Sequence, residues 1–337
     1  MTQDLPELHE LPDGFLDATP QNLYECVPEP TLIHLEGQRS PAVAVVLLLH
    51  GNEPVGLQAV QQLLRHYTGK PLPRALTLII GNPRAAAVSQ RHLDEQPDFN
   101  RIWPGTEQAG SPEAERFAEV CRRLEQRGLF AAVDLHNNTG RNPHYACINR
   151  LDPAFMNLAA LFGRTVVYFT RPRGVASMAL ARIAPSVTLE CGPPNDESGI
   201  QHAFEMLDAV LHLDHFPEHP PRAGDIEIFH TVAQVRVRPG LQAGLDAQHD
   251  VRLEPDLDRL NFQLLPARST LVHIRPEVDS PLVAIAEDGS EVTAQYLETH
   301  GDEIQLKRAA MPSMLTLDSR VIAQDCLCYL MEPLALP

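Results

Sequence analysis

The chain has 337 residues, 44% of them hydrophobic, which is enough for one large domain and a smaller one. Its formal charge of −17 leaves no surplus of Lys and Arg to hold a phosphate backbone, which argues against a nucleic-acid partner. No apolar run approaches the roughly 18 to 20 residues that span a bilayer, and Met1–Pro6 lacks the basic start and apolar stretch of a secretory signal, so a cytoplasmic location is expected.

Residues 1–40, rich in Pro, Glu and Asp, read as a leading segment with one strand near 30–35. The apolar run 43–49 predicts a buried strand, and it ends in His50-Gly51-Asn52-Glu53. A helix is expected from about Pro54 to Tyr67, with Val55, Ala59, Leu63 and Leu64 on one face and Pro54 in the first turn, where a missing N–H is harmless. Residues 76–80 form the next strand, closing in Gly81-Asn82-Pro83. A helix over 112–127 carries Phe117, Val120, Cys121 and Leu124 at helical spacing and leads through Gly128 into a strand at 129–133, whose chain continues to Asp134-Leu135-His136. Strands follow at 145–148, 165–169 and 186–189, the last closed by Glu190, and then a helix over 200–213. Apolar strands without clean alternation, separated by amphipathic helices, indicate an α/β sheet covered on both faces.

The Pro-rich stretch 216–225 is the clearest change of composition and suits a semi-rigid connector. Beyond it, 232–237, 271–274, 282–286, 291–296 and 321–331 are short, β-favouring segments set between Gly, Pro and Asp turns. Two domains are therefore expected, 1–221 carrying the chemistry and 222–337 β-rich. The six cysteines, at 26, 121, 147, 191, 326 and 328, form no CxxC pair and read as free thiols.

A hydrolytic zinc site needs three protein ligands and an open position for water. His50, Glu53 and His136 meet that count, each at the carboxyl end of a strand, where open α/β sheets collect their ligands. Gly51 is expected to let the backbone turn sharply, so that His50 and Glu53 address one ion. Asp134, two residues before His136 and so on the same strand face, suits a carboxylate that takes the second imidazole N–H; the spacing equally fits an aspartate facing solvent.

The motifs His50-Gly51-Asn52-Glu53, Gly81-Asn82-Pro83-Arg84, Asp98-Phe99-Asn100-Arg101, Asp134-Leu135-His136-Asn137 and Glu190-Cys191-Gly192 stand in an order that resembles the succinylglutamate desuccinylase/aspartoacylase family, relatives of the zinc carboxypeptidases. The resemblance covers about residues 43–200 and extends more loosely through the β-rich tail. It implies an α/β fold, a zinc-carboxypeptidase-like mixed sheet flanked by helices and followed by a small β-rich domain. It also implies that His50, Glu53 and His136 hold one Zn2+ per chain and that Glu190 is the general base. Asn100 with Arg101 would grip a substrate carboxylate, and Arg91 would polarise the scissile carbonyl. For a second substrate carboxylate Arg182 is nearest, although it sits closer to Glu190 than the family's arginine does, with Arg171 and Arg173 farther off. Residues 137–144 look more like the aspartoacylase side, yet no tyrosine matches the one aspartoacylases supply from the C-terminal domain.

The expected activity is zinc-dependent hydrolysis of an amide beside a free carboxylate, with deacylation of an N-acyl amino acid as first choice. The alternatives are a zinc carboxypeptidase acting on a peptide or peptide-like conjugate and, from another class, a non-catalytic zinc-containing binding protein. The expected partner is a small carboxylate-bearing substrate, with no nucleic acid and no membrane; a homo-oligomer stays open.

Overall fold

The computed structural model describes residues 5–108 and 110–335, and it divides into two compact units. One comprises Met1–Asn137 and His144–Ile226, the other Asn138–Pro143 and Glu227–Pro337. The sequence pattern set the boundary at residue 222; the structure sets it a few residues later and adds the short segment 138–143 to the second unit.

In the first unit the chain runs β1 (Glu7–Leu8), β2 (Thr31–Leu35), β3 (Ala42–Leu47), α1 (Val55–His66), β4 (Leu76–Ile80), α2 (Pro83–Ala87), α3 (Pro112–Arg127) and β5 (Leu129–His136). It continues through β6 (Tyr145–Ile148), α4 (Pro153–Ala160), β7 (Thr165–Tyr168), α5 (Ala176–Leu180), β8 (Ser186–Glu190) and α6 (Glu197–His212). The strands pair in the order β1-β2-β4-β3-β5-β8-β6-β7. β4, β3, β5 and β8 are mutually parallel, while β2 and β6 run antiparallel to their neighbours β4 and β8. This is the mixed, helix-flanked sheet expected.

Both faces of the central strands are covered, which is why they carry apolar residues at every position. On one face Ala44, Val46 and Ala132 meet Phe117, Val120 and Leu124 of α3. On the other, α1 lies so close that a Cβ on Gly56 would stand 2.8 Å from Leu47 Cβ and 3.1 Å from Leu135 Cβ. A glycine in a helix loses stability relative to alanine, and here close helix-to-sheet approach is what it permits.

The second unit contains β9 (Glu227–Val237), β10 (Ala243–Gly244), β11 (Val251–Arg252), β12 (Thr270–Ile274), β13 (Leu282–Ala286), α7 (Thr293–Tyr296), β14 (Leu297–His300), β15 (Glu303–Leu306), β16 (Met311–Ser313), α8 (Ser319–Gln324) and β17 (Cys328–Leu334). β9 pairs antiparallel with β13 and with β17, which carries β16, and a separate sheet has the order β10-β11-β12-β15-β14. Val235, Leu271, Leu282, Leu306, Leu327 and Leu330 belong to its core.

Two expected strands are wrong in part. Within 291–296, Thr293 turns into α7, because its hydroxyl accepts the Ala284 N–H at 3.0 Å and pairing with β13 ends there. Within 321–331, the Asp318 carboxylate accepts the N–H groups of Arg320 and Val321, which caps α8 and delays the strand to Cys328. The short helices α2, α4 and α5 were not anticipated, although Asp152-Pro153 is a cap followed by proline at the first helical position. Among the described residues no helix is long and apolar enough to cross a membrane.

Candidate metal centre

His50 and Glu53 lie in the loop between β3 and α1, and the backbone there is held in an unusual form. Leu48, fully buried, has φ 56°, a left-handed conformation that a branched, non-glycine residue adopts only under constraint. Its carbonyl accepts the Asn82 N–H, and Leu47 O accepts the Gly81 N–H, so the end of β4 clamps the turn. The sharp bend therefore falls on Leu48 and not, as expected, on Gly51. What Gly51 supplies is proximity: a Cβ there would stand 2.2 Å from the Ala85 carbonyl carbon.

The three residues converge. Glu53 Oε1 is 2.8 Å from His50 Nδ1, and Glu53 Oε2 is 2.7 Å from His136 Nδ1. One ligand atom from each of the three lies within 4.8 Å of the others, and all three side chains are buried, so the group could hold a metal ion. Each imidazole turns Nδ1 inward and braces Nε2 on a further carboxylate. His50 Nε2 is 3.0 Å from Asp98 Oδ1, and His136 Nε2 is 3.0 Å from Asp134 Oδ1. Acidic partners of this kind fix the ring orientation and favour a lone pair on the inward nitrogen. The donor set of two imidazole nitrogens and one carboxylate suits zinc, and the two outward carboxylates fit that ion's needs.

Charge follows from this geometry. Burial alone would raise the Glu53 carboxyl, but His50 and His136 outweigh it by charge and hydrogen bonding and hold it far below the usual carboxylate range. Burial likewise opposes ionised Asp98, and the charges of Arg91, His50 and Arg101 overcome it. His136 is pushed the other way: against burial, Asp134 and then Glu53 raise its pKa well above the ordinary histidine value.

The remaining predicted residues fall into two groups. Arg91 donates Nε–H and Nη2–H to Asp98 Oδ2 at 3.0 and 2.9 Å, and its Nη1 is 3.9 Å from Glu53 Oε1. Asn100 accepts the Ala176 N–H at its Oδ1, which turns its amide nitrogen to within 3.3 Å of His136 Nε2. That ring nitrogen thus faces both the Asp134 carboxylate and the Asn100 amide nitrogen. Arg101 is half-buried and donates to the Asn100 carbonyl at 2.9 Å. Glu190, buried, ends β8 directly opposite His136 in the parallel pairing with β5, so the two side chains leave the same sheet face. Arg182 is exposed, with Nη2 3.4 Å from where a Cβ on Gly105 would lie, and its charge is felt by Cys121 on α3.

Two residues of the network had no role assigned from sequence. Asp98 joins Arg91 to His50, and Asn137 donates its backbone N–H to Glu53 Oε2 at 3.2 Å. Both stand inside motifs that sequence singles out, as the first residue of 98–101 and the last of 134–137, and that position was the available signal. A cleft of about 730 Å³ lined by Asn82, Arg84, Gln96, Phe99, Arg116 and Glu119 includes none of the converging residues. Chemistry, and not volume, marks the centre.

Residues 39–213 match the model of the succinylglutamate desuccinylase/aspartoacylase catalytic domain. A succinylglutamate desuccinylase from Pseudomonas aeruginosa is 33% identical over 148 residues, 40% of this chain and 39% of that protein, so the match spans about two-fifths of the relative's length. Among solved structures, the succinylglutamate desuccinylase from Chromobacterium violaceum aligns with a TM-score of 0.59 at 18% identity, covering 88% of this chain and 86% of that one. Murine aminoacylase 3 aligns with a TM-score of 0.57 at 16% identity, covering 88% and 97%. At these identities the structures show a shared fold.

Proposed function

The chain belongs to the succinylglutamate desuccinylase/aspartoacylase family, and from that premise we propose that it hydrolyses the amide bond of an N-acyl amino acid at one zinc ion held by His50, Glu53 and His136. The observation that carries the reading is the inward turn of both Nδ1 atoms onto Glu53 while Asp98 and Asp134 brace the outward nitrogens. Zinc at such a site supplies an acidified water and a Lewis acid for the scissile carbonyl.

The protein groups divide the rest of the work. Glu190, beside His136 on the adjacent strand, takes the proton of the attacking water as its oxygen bonds to the carbonyl carbon, and delivers it to the amine nitrogen as the C–N bond breaks. Arg91, anchored on Asp98, keeps a fixed positive charge at the edge of the cluster for the oxyanion that develops. Asn100 and Arg101 take the substrate carboxylate, for which a guanidinium offers parallel N–H groups. The reading assigns no part to Arg182, whose guanidinium lies by Gly105 and Cys121.

Glu190→Gln is the direct test. With a panel of N-acetyl and N-succinyl amino acids and dipeptides, it should retain one zinc per chain and lose about 10²–10⁴-fold in kcat. Full turnover by this variant would remove Glu190 from the mechanism. Cleavage confined to dipeptides by the unaltered protein would move the substrate to the peptide class, and no bound zinc with no hydrolysis would leave a binding protein.

A further inference from the structure

Asn137 touches both halves of the centre at once. Its backbone N–H donates to Glu53 Oε2 at 3.2 Å. Its side-chain Oδ1 accepts, at 3.1 Å, the N–H of Val55, the first residue of α1 and only two beyond Glu53. Its Nδ2 donates to Gly192 O at 2.9 Å and to Pro193 O at 3.2 Å, in the turn that leaves Glu190. The side chain is buried, with every polar atom engaged. Gly192 adopts φ 76°, a conformation other residues rarely take, so the turn is already restricted to the shape these bonds require. Cys191 N–H, between base and turn, donates to His136 O at 3.0 Å.

We propose that Asn137 is a positioning residue whose single amide sets Glu190 in register with the ligand Glu53, joining the loop after β3 to the turn after β8. The inference rests on the roles given above to Glu53 and Glu190. An amide suits the task because one end must accept and the other must donate twice. The pull is also directional: the acceptor end serves the metal ligand's loop, and the donor end serves the base's turn.

That asymmetry makes the idea separable. Asn137→Asp keeps an acceptor for Val55 N–H but sets a carboxylate oxygen against two carbonyl oxygens, so it strikes the base's side alone. Asn137→Ala strikes both. Asn137→Asp should lower kcat by about 10–100-fold with KM within about twofold, while zinc affinity in chelator competition stays within about threefold. Asn137→Ala should add a loss of about tenfold or more in zinc affinity. Placed on Glu190→Gln, Asn137→Asp should cause no further fall in kcat, because groups acting as a unit are not additive. A full multiplicative loss there would overturn the proposal, as would equal zinc affinities for the two Asn137 variants.

Hydrogen exchange at the Cys191 amide gives a readout that needs no substrate. Both variants should speed it with the rest of the fold's protection intact, and unchanged exchange in both would also overturn the proposal. If Glu190→Gln itself remains fully active, the assigned mechanism fails while the exchange and zinc results still decide the role of Asn137.

Discussion

The two units bury quite different side chains. Around the carboxyl ends of β3, β5 and β8 the first keeps His50, Glu53, Asp134, His136 and Glu190 each less than a tenth exposed. In the second, Asp258 is the one buried carboxylate among the described residues, and the core is aliphatic apart from Tyr296 and Cys328. Aliphatic burial stabilises a fold by itself, at roughly 25 cal/mol per Å². Buried charge does so only when paired, and replacing such pairs by apolar groups is often neutral or stabilising. A cluster of this kind, held together by reciprocal ion pairs, is therefore the mark of a site and not of a core. The comparison makes a separable claim: the second unit's interior sets stability, and the first unit's strand ends set metal affinity.

The largest effect should come from the aliphatic side. Leu330 is fully buried in the second unit's cluster, and Leu330→Ala should destabilise the protein by about 2–5 kcal/mol, seen in denaturant unfolding. Zinc affinity of the folded variant should not change. A parallel loss of zinc binding would break the separation.

Asp98→Asn probes the other side with a smaller effect. Asp98 accepts from Arg91 and lies 3.0 Å from His50 Nε2, so the change removes the charge that orients the ring while keeping the side chain's shape. Zinc affinity should weaken by about 10–100-fold in chelator competition. An unchanged affinity would mean that ring packing alone orients His50.

How much of this was legible beforehand follows the same division. The helix over 112–127 and the strands 145–148 and 282–286 appear where periodicity and composition put them, because burial on one or both faces writes itself into every residue. The helical turns at Thr293–Tyr296 and Ser319–Gln324 were hidden, since a side-chain hydroxyl or an Asp318 cap decided them against β-favouring composition. His50, Glu53 and His136 were visible as strand-end residues, and they do come together. Leu48 was not: a positive φ imposed by Gly81 and Asn82 on an ordinary leucine leaves no trace in residue type. Nor was the place of Arg182, which depends on which way an exposed side chain leaves α5's far end.

The smallest prediction concerns pH, and it separates the two kinds of burial once more. In the metal-free protein, burial opposes a charged His136, but Asp134 and Glu53 raise its pKa above the unfolded value of about 6.5. A raised histidine contributes stability that is full below that unfolded value and is lost as pH rises through the folded one. Glu53 and Asp98 are depressed, so their contributions hold above the unfolded carboxyl values and fade only in acid. Between pH 6 and 9 the carboxylates thus stay constant, and His136 makes the metal-free protein weaken as pH rises. Zinc must displace the His136 proton to bind, so its affinity, and with it the stabilisation of the native state, grows over the same range. Melting with zinc and with chelator should therefore diverge from pH 6 to 8.5. The loss caused by Leu330→Ala should stay level across it, because the titratable members of that cluster, Tyr296 and Cys328, are both pushed above their ordinary values by burial and stay neutral over this range. A constant gap between the zinc and chelator melts would show that metal enters without taking the place of a proton on His136.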